Sequence, residues 1–185
     1  MYAPPLPGWN VLLRLRSLLT KGPTKHEPVE INSLVSEIVR LLQNNALGRQ
    51  IAIHVELIPG LGLVMGDRIQ IQQVVLNLLM NAFDAVEGGA RADRRVWIRT
   101  VSDAPCAVLE VIDRGTGIPD EAMRMLFEPF FTTKPGGMGL GLPLCQTIVN
   151  AHGGTLTAVR NPDAGMTFSA RFPFSPPETP AGITG

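Results

Sequence analysis

The chain has 185 residues, of which 45% are hydrophobic and 17% charged, and its sixteen acidic and sixteen basic side chains cancel. A chain of this length can bury roughly 70% of its unfolded surface as one domain, so it needs no metal or disulfide to fold. The balanced charge argues against a surface for nucleic acid, and no run of about 18 apolar residues predicts a membrane span. We expect a soluble, cytoplasmic chain, whereas a longer parent protein is free to carry a membrane anchor.

Both ends of the chain are predicted to lie outside the folded domain. Residues 1–10 hold three prolines and one glycine, so we expect an irregular start or a remnant of cloning. Residues 11–22 carry valine and leucine at helical spacing and stop before Pro23, which predicts the end of a longer helix that lacks its packing partners. The polar, proline-rich segment 175–185 is expected to be disordered, and the domain to span 23–174.

The hydrophobic pattern between these ends predicts alternating helices and strands. Asp67 and Gln70 can cap the central helix as a capping box, and Asn32 is a possible cap of an earlier one. Three helices on one face of a mixed, mostly antiparallel sheet give a two-layer α/β sandwich of the α+β class. The predicted elements are helices at 31–47, 67–86, 119–126 and 141–151, strands at 51–57, 95–101, 106–112, 154–159 and 166–172, and a glycine-rich loop at 127–140.

The central helix carries a polar stripe beside its apolar one. Gln70, Gln73, Asn77, Asn81 and Asp84 recur at spacings of three and four residues, so they share one side of the helix. This stripe lacks Lys, Arg and Glu, which a helix face turned to water usually carries. Asn77 and Asn81 lie one turn apart and can address one bound group. The alternative is a pair of buried amides that bond to neighbouring backbone.

Two segments with glycines offer further binding chemistry. Asp113 ends a strand just before Gly115 and Gly117, so its carboxylate can accept a hydrogen bond from an exocyclic amine while backbone approaches a flat ring. Alternatively, Asp113 bonds the amides of its own turn. Segment 136–142 opens into a helix, which suits a polyphosphate, or else it is a flexible surface loop. Neither segment spells the dinucleotide-binding or P-loop motif.

Taken together, these segments resemble the sequence boxes of sensor histidine kinases. Residues 73–82 resemble the N box, 113–117 the first glycine box, 127–134 the F box and 137–142 the second glycine box. The boxes follow in the family's order, and the resemblance covers about residues 29 to 174. The amino-acid sequences around the N and F boxes are similar to those of the nitrogen-regulation and oxygen-sensing kinases. The resemblance implies the ATP-binding fold shared by histidine kinases and gyrase.

The resemblance also implies a role for each box residue. Asn81 would ligate Mg²⁺, Asn77 would support the phosphates of ATP, Lys134 would lie near those phosphates, and Asp113 would bind the adenine amine. An amide oxygen, phosphates and waters suffice for Mg²⁺, which prefers oxygen ligands. Met166 stands where the family often has Thr, and Arg114 replaces the usual Asn. The other implied nucleotide-binding residues are Asp84, Gly115, Gly117, Ile118, Gly137, Met138, Gly139, Leu140, Gly141, Leu142 and Thr167.

The histidines of this chain do not fit the phosphate acceptor of such kinases. The family phosphorylates a His followed by Glu or Asp on a long dimerisation helix. His26 precedes Glu27 but lies between Pro23 and Pro28, where a long helix cannot form, and neither His54 nor His152 has the right context. We therefore expect the acceptor on the protein's own dimerisation domain, outside this chain, with residues 11–22 as the end of a dimerisation helix.

Partners and alternatives follow from the same resemblance. A cognate response regulator is the implied downstream partner, the fragment is expected to be a monomer, and the full-length kinase a homodimer. One alternative is an ATP hydrolase of the same superfamily, but those enzymes carry a Glu base where this chain has Asn77, and an amide cannot take a proton from water. Others are a degenerate nucleotide-binding interaction module and an anti-sigma serine kinase, which would not need the leucine-rich helix.

Overall fold

The computed structural model describes residues 25–88, 93–134 and 137–175. The predicted start, the predicted helix at 11–22 and the tail beyond Ser175 lie outside the described residues. The elements, in chain order, are β1 Glu27–Val29, α1 Ile31–Gly48, β2 Ala52–Leu57, β3 Val64–Gly66, α2 Arg68–Glu87, β4 Arg95–Asp103, β5 Cys106–Asp113, α3 Asp120–Met123, α4 Gly141–Ala151, β6 Thr155–Arg160 and β7 Met166–Pro173.

Five strands form one mixed sheet in the order β2, β4, β5, β7 and β6. The β2 strand runs parallel to β4, and every other neighbouring pair is antiparallel. One sheet face carries the buried row of β7, from Met166 to Phe172, and packs with α1, α2 and α4 into one core. The predicted two-layer sandwich with a mixed sheet is therefore confirmed.

The central helix α2 lies between α1 and α4 because its apolar arc is broad. Eight of its side chains are buried, among them Ile71, Leu78 and Phe83. At its start the Asp67 carboxylate accepts hydrogen bonds from the amides of Ile69 and Gln70, so the predicted cap is present. Gln70 does not complete the capping box. The amide of Asp67 instead donates to Nε2 of His152, which comes from the end of α4.

The first elements differ from the sequence analysis in two ways. The prediction that Asn32 caps α1 is wrong, because Glu30, the residue before the helix, occupies the cap position. The Asn32 side chain instead donates to the carbonyl of Ile58 and accepts from the hydroxyl of Thr100, each at 2.8 Å. The residues before α1 also hold a strand that was not predicted: β1 pairs with β3 in a separate two-stranded sheet.

The short helix also differs from its prediction. It covers only Asp120–Met123, whereas residues 119–126 were predicted, and turns follow it up to Phe130. No helix of the described ranges is both long and apolar enough to cross a membrane.

Candidate functional site

A cavity of about 300 Å³ lies between α2, the ends of β5 and β7, and the segment that leads into α4. This size is at the lower end of the range for small-molecule sites. The cavity wall combines apolar side chains with a few polar ones that converge from distant parts of the chain. It is lined by Asn81, Asp84, Ala85, Gly88, Asp113, Thr116, Gly117, Ile118, Leu126, Phe131, Thr132, Thr133, Lys134, Gly137, Met138, Gly139, Gly141, Leu142, Pro143, Met166 and Phe168.

Asp113 is the buried carboxylate of this cavity. It is the last residue of β5 and is 1% exposed. Its Oδ1 accepts from the amides of Gly115 at 2.8 Å and Met166 at 3.3 Å, whereas its Oδ2 accepts no hydrogen bond from the residues that the structure describes. Burial raises the pKa of Asp113, and the two amides and the charge of Lys134 oppose that rise. Asp113 thus presents one free acceptor to the cavity.

Two glycines let backbone segments meet around Asp113. A Cβ on Gly115 would lie 2.5 Å from the carbonyl of Ala85 in α2, so only glycine fits between the turn and the helix. Gly165 has a φ of +81°, and a Cβ there would lie 2.1 Å from the carbonyl oxygen of Asp113. These close approaches hold the Asp113 turn against both α2 and the β6–β7 turn.

At the opposite end of the cavity, three polar side chains converge. Lys134 Nζ donates to Oδ1 of Asn81 at 3.1 Å and to Oδ2 of Asp84 at 2.9 Å. Asn81 and Asp84 lie almost one turn apart on α2, so both project from one side of the helix. The other oxygen of Asp84 accepts from Nη1 of Arg49 at 3.0 Å. The two α2 side chains therefore offer oxygen atoms that already attract a cation.

Residues 126–134 and 137–140 form one wall of the cavity, and we call them the lid. Its two arms are joined because the amide of Phe130 donates to the carbonyl of Gly139 at 3.0 Å. Phe130 has a φ of +68°, a strained conformation for a bulky residue, and its side chain is 76% exposed. Gly139 has a φ of +63°, and a Cβ there would lie 2.4 Å from the carbonyl carbon of Phe130.

Most of the predicted site residues meet in this cavity. Those that line it are Asn81, Asp84, Asp113, Gly117, Ile118, Lys134, Gly137, Met138, Gly139, Gly141 and Leu142. Gly115 and Leu140 lie beside the lining, one behind Asp113 and the other at the start of α4. Asn77 also lies outside the lining. The buried thiol of Cys145 donates to the carbonyl of Val74 in the same helix as Asn77, and burial raises the pKa of this thiol to about 12.

The prediction that Thr167 belongs to this site is not supported by the geometry and needs correction. Alternate side chains of a strand point to opposite sheet faces, and Met166 and Phe168 are the β7 residues that reach the cavity. Thr167 therefore faces the other side of the sheet, where its hydroxyl donates to Oδ1 of Asn161 at 2.6 Å.

Several lining residues were missed by the sequence reasoning. Ala85 lies on the same side of α2 as the polar stripe, and Gly88 follows on that side just after the helix ends. Helical spacing from Asn81 and Asp84 could have indicated both. Thr132 and Thr133 stand beside Lys134 within the F box. Arg49 lies outside the lining but bonds Asp84. No sequence pattern indicated this contact, because the two residues are 35 positions apart.

The residues present fit a Mg²⁺–nucleotide ligand. The Lys134 ammonium donates a hydrogen bond to the amide oxygen of Asn81. That oxygen therefore faces a position where a positive charge is stabilised. Carboxylate and amide oxygens are the ligands that Mg²⁺ prefers, with waters and phosphates completing its shell. The amides at the start of α4, next to Gly141, add the partial positive charge of a helix N-terminus.

Comparison with known proteins supports a nucleotide ligand. Residues 66–176 match the family described as histidine kinase-, DNA gyrase B-, and HSP90-like ATPase. The chain is 36% identical over 168 residues to the sensor protein FixL of Bradyrhizobium diazoefficiens, covering 89% of this chain and 32% of that relative. The chain thus spans about a third of the length of this curated relative.

Solved structures share the fold. The catalytic domain of histidine kinase ThkA is 30% identical with a TM-score of 0.72, and the match covers 81% of this chain and 96% of that domain. ThkA in complex with the response regulator protein TrrA matches with a TM-score of 0.72 at 25% identity, over 91% of this chain and 50% of the other. The chain therefore belongs to the histidine kinase-, DNA gyrase B- and HSP90-like ATPase family, as an ATP-binding catalytic domain of the sensor histidine kinase type.

Proposed function

We propose that this domain binds MgATP and presents its γ-phosphate to a histidine on a dimerisation domain outside residues 25–175. The observation that carries the proposal is the pairing of a free carboxylate oxygen on Asp113 at one end of the cavity with the Asn81, Asp84 and Lys134 cluster at the other. The first suits an adenine amine and the second suits phosphates with their metal.

Each residue then has a role of its own. Asn81 ligates Mg²⁺ through its amide oxygen, Lys134 moves its ammonium to the phosphates, and the glycines around Met138 bring backbone amides towards them. Asn77, one turn before Asn81 on the same side of α2, supports the phosphates. In phosphoryl transfer the protein mainly orients the phosphate and neutralises charge, which these groups can do. Mg²⁺, when bound, supplies further charge neutralisation.

The same residues argue against rapid hydrolysis of ATP. A hydrolase needs a base that takes a proton from water, and Asn77 has an amide where the related hydrolases carry Glu. Asn77 also lies outside the lining of the cavity. The proposed substrate is therefore a histidine side chain and not water.

The proposal extends to the parent protein. We infer that residues 11–22 are the end of a dimerisation helix, that the full-length kinase is a homodimer, and that this domain alone is a monomer. A cognate response regulator would receive the phosphoryl group downstream. The ThkA structure, which contains the response regulator TrrA, supports this kind of partner.

Titration with nucleotides tests the site first. We expect ATP to bind more tightly than GTP, because guanine presents a carbonyl where adenine presents the amine for Asp113. Removal of Mg²⁺ with EDTA should weaken ATP binding in the wild type, and Asn81→Ala should abolish most of that dependence. Arg68→Gln is a matched control, since it changes an exposed α2 side chain remote from the cavity. Equal affinity for ATP and GTP would contradict the assignment.

Transfer of radiolabelled phosphate tests the function itself. Mixed with a separately produced dimerisation domain of its parent kinase, the domain should label that partner with an acid-labile phosphoryl group, and Asn81→Ala should not. The domain alone should neither become labelled nor release phosphate quickly. Acid-labile label on this chain alone would mean that His26, His54 or His152 is the acceptor, and the proposal would fail.

A further inference from the structure

The cluster around Lys134 extends to Arg49, which stands behind the cavity wall. Arg49 follows the last residue of α1, and its Nη1 donates to Oδ1 of Asp84 at 3.0 Å. Lys134 Nζ donates to Oδ2 of the same carboxylate at 2.9 Å. The Arg49 side chain is only 17% exposed, whereas that of Lys134 is 39% exposed. One carboxylate is thus shared between a fixed guanidinium behind the wall and an ammonium of the lid.

Arg49 is held in place independently of the lid. The same Nη1 atom donates to Glu87 at 3.0 Å, and the backbone carbonyl of Arg49 accepts from Nη1 of Arg94 at 2.7 Å. The backbone amide of Arg49 closes the last turn of α1 by donating to the carbonyls of Asn45 and Ala46. The guanidinium is therefore part of the rigid framework of α1 and α2.

An uncompensated Asp84 would hinder a triphosphate in two ways. Its negative charge would repel phosphates at the Asn81 end of the cavity, since like charges a few ångströms apart in a partly buried site interact strongly. It would also retain the Lys134 ammonium, which the phosphates need. Because Arg49, although it also pairs with Glu87, lies against Asp84 on the other side, it offsets part of the Asp84 charge and both effects are reduced.

We propose that Arg49 is a positioning residue for nucleotide phosphates, which neutralises Asp84 and so releases Lys134 from Asp84 to the phosphates. Arg49 does not line the cavity, and it acts only through Asp84. The inference rests on the proposed function, because it requires an anionic ligand at the Asn81 end. It goes beyond that function by assigning a role to a residue outside the sequence boxes.

Affinity for ATP compared with affinity for adenosine tests the proposal. We expect Arg49→Gln to weaken ATP binding roughly three- to tenfold, the range of one partly buried charge interaction, and to leave adenosine binding unchanged. A role only in holding α1 on α2 would change both affinities or neither. Arg68→Gln is the matched control, because Arg68 also joins these two helices, through Glu37 at 2.6 Å, at the far end of α2.

Two further variants make the result decisive. The double variant Arg49→Gln with Asp84→Asn should recover the ATP-to-adenosine ratio relative to Arg49→Gln alone, because the side chain that shares Lys134 with the phosphates is then uncharged. Arg49→Lys keeps the positive charge and should stay within about twofold of the wild-type ratio. If Arg49→Gln shows the ratio of Arg68→Gln, or if Asp84→Asn does not restore it, the proposal is overturned. Failure of the wild type to prefer ATP over GTP would instead refute the proposed function.

Discussion

Asp113 combines deep burial with an incomplete set of hydrogen bonds. Burial raises the pKa of this carboxyl above its ordinary value, although the amides of Gly115 and Met166 and the charge of Lys134 counteract part of the rise. A carboxyl whose pKa is higher in the folded chain favours folding when it is protonated. Its contribution to the free energy of unfolding is present below the pKa of the unfolded chain and is lost as the pH rises through the folded pKa. At a pH above its folded pKa, the ionised Asp113 therefore destabilises the domain and is kept for binding.

The variant Asp113→Asn should separate stability from binding. At a pH above the folded pKa of Asp113 we expect the variant to unfold at a higher temperature than the wild type, and we expect the difference to close as the pH falls through that pKa, because the wild-type carboxyl then protonates. ATP should bind roughly 10–100-fold more weakly, since an amide N–H would face the adenine amine in place of a charged acceptor. Thermal unfolding across pH and nucleotide titration measure the two effects.

Asp163→Asn is the control for this prediction. Asp163 pairs with Arg114 but its side chain is 78% exposed, so the change should alter neither the melting temperature nor ATP binding appreciably. A lower melting temperature for Asp113→Asn than for Asp163→Asn at pH 7 would show that its hydrogen bonds outweigh the burial of charge.

At the scale of elements, His152 joins the end of α4 to the start of α2. Its Nε2 accepts from the amide of Asp67 at 2.9 Å, and its Nδ1 lies 2.7 Å from the carbonyl of Ile148. Because a backbone amide only donates and a carbonyl only accepts, the neutral tautomer with the proton on Nδ1 satisfies both contacts. A Cβ on Gly66 would lie 2.4 Å from the His152 ring, so glycine is required at that position.

We expect His152→Ala to lower the free energy of unfolding by about 2 kcal/mol, because it leaves the buried amide of Asp67 without a partner and opens a cavity. Chemical denaturation measures this value. His54→Ala is the matched control, since His54 stacks on the ring of Trp97 at 5.0 Å but lies on the edge strand β2. Equal losses for the two variants would refute the structural role of His152.

The sequence predicted the long elements because hydrophobic spacing reports which face of a helix or strand is buried. Helix α2 and the β4–β5 hairpin were therefore found, with their ends within a few residues. The strands β1 and β3 were missed because three residues are too few for an alternating pattern, and β1 contains Pro28. Their pairing is a tertiary contact that no local pattern encodes.

The candidate site was predictable where a motif lies on one element, and not where distant elements meet. The stripe of α2 indicated Asn81 and Asp84, and both line the cavity. Thr167 was misplaced although the apolar residues Met166 and Phe168 on either side indicate that it points the other way. Arg49 could not be found at all, because only the packing of α1 on α2 brings it to Asp84.

At the scale of the whole molecule, the cavity lies at one end of the sheet, beside the end of β5, and one of its walls is the lid. The lid meets the helix layer through Lys134 and through the wall shared with α2. The hairpin turn at Ala104 and Pro105 lies at the other end of β5, about 25 Å from Asp113 along an eight-residue strand. Ligand contacts should therefore order the lid without affecting that turn.

Hydrogen exchange should show this difference. We expect amides of residues 127–140 to exchange more slowly when a MgATP analogue is bound, because contacts with the ligand offset the entropy lost by a glycine-rich segment. Amides around Ala104 serve as the internal control and should exchange at the same rate with and without ligand. Unchanged protection of 127–140 at saturating analogue would refute closure of the lid on the nucleotide.

The strand β3 has a mechanical consequence. It pairs with β1 on one side, and on the other Val64 bridges Phe174 while the carbonyl of Leu63 accepts from the amide of Ser175. Tension between Lys25 and Ser175 therefore acts on β3 as well as on β7, which ends two residues before Ser175. The next residue after β3 is Asp67, the cap of the helix that carries Asn81 and Asp84. Force applied to the chain at Lys25 is therefore transmitted to the N-terminus of α2, the helix that carries the side chains proposed to lie near the phosphates.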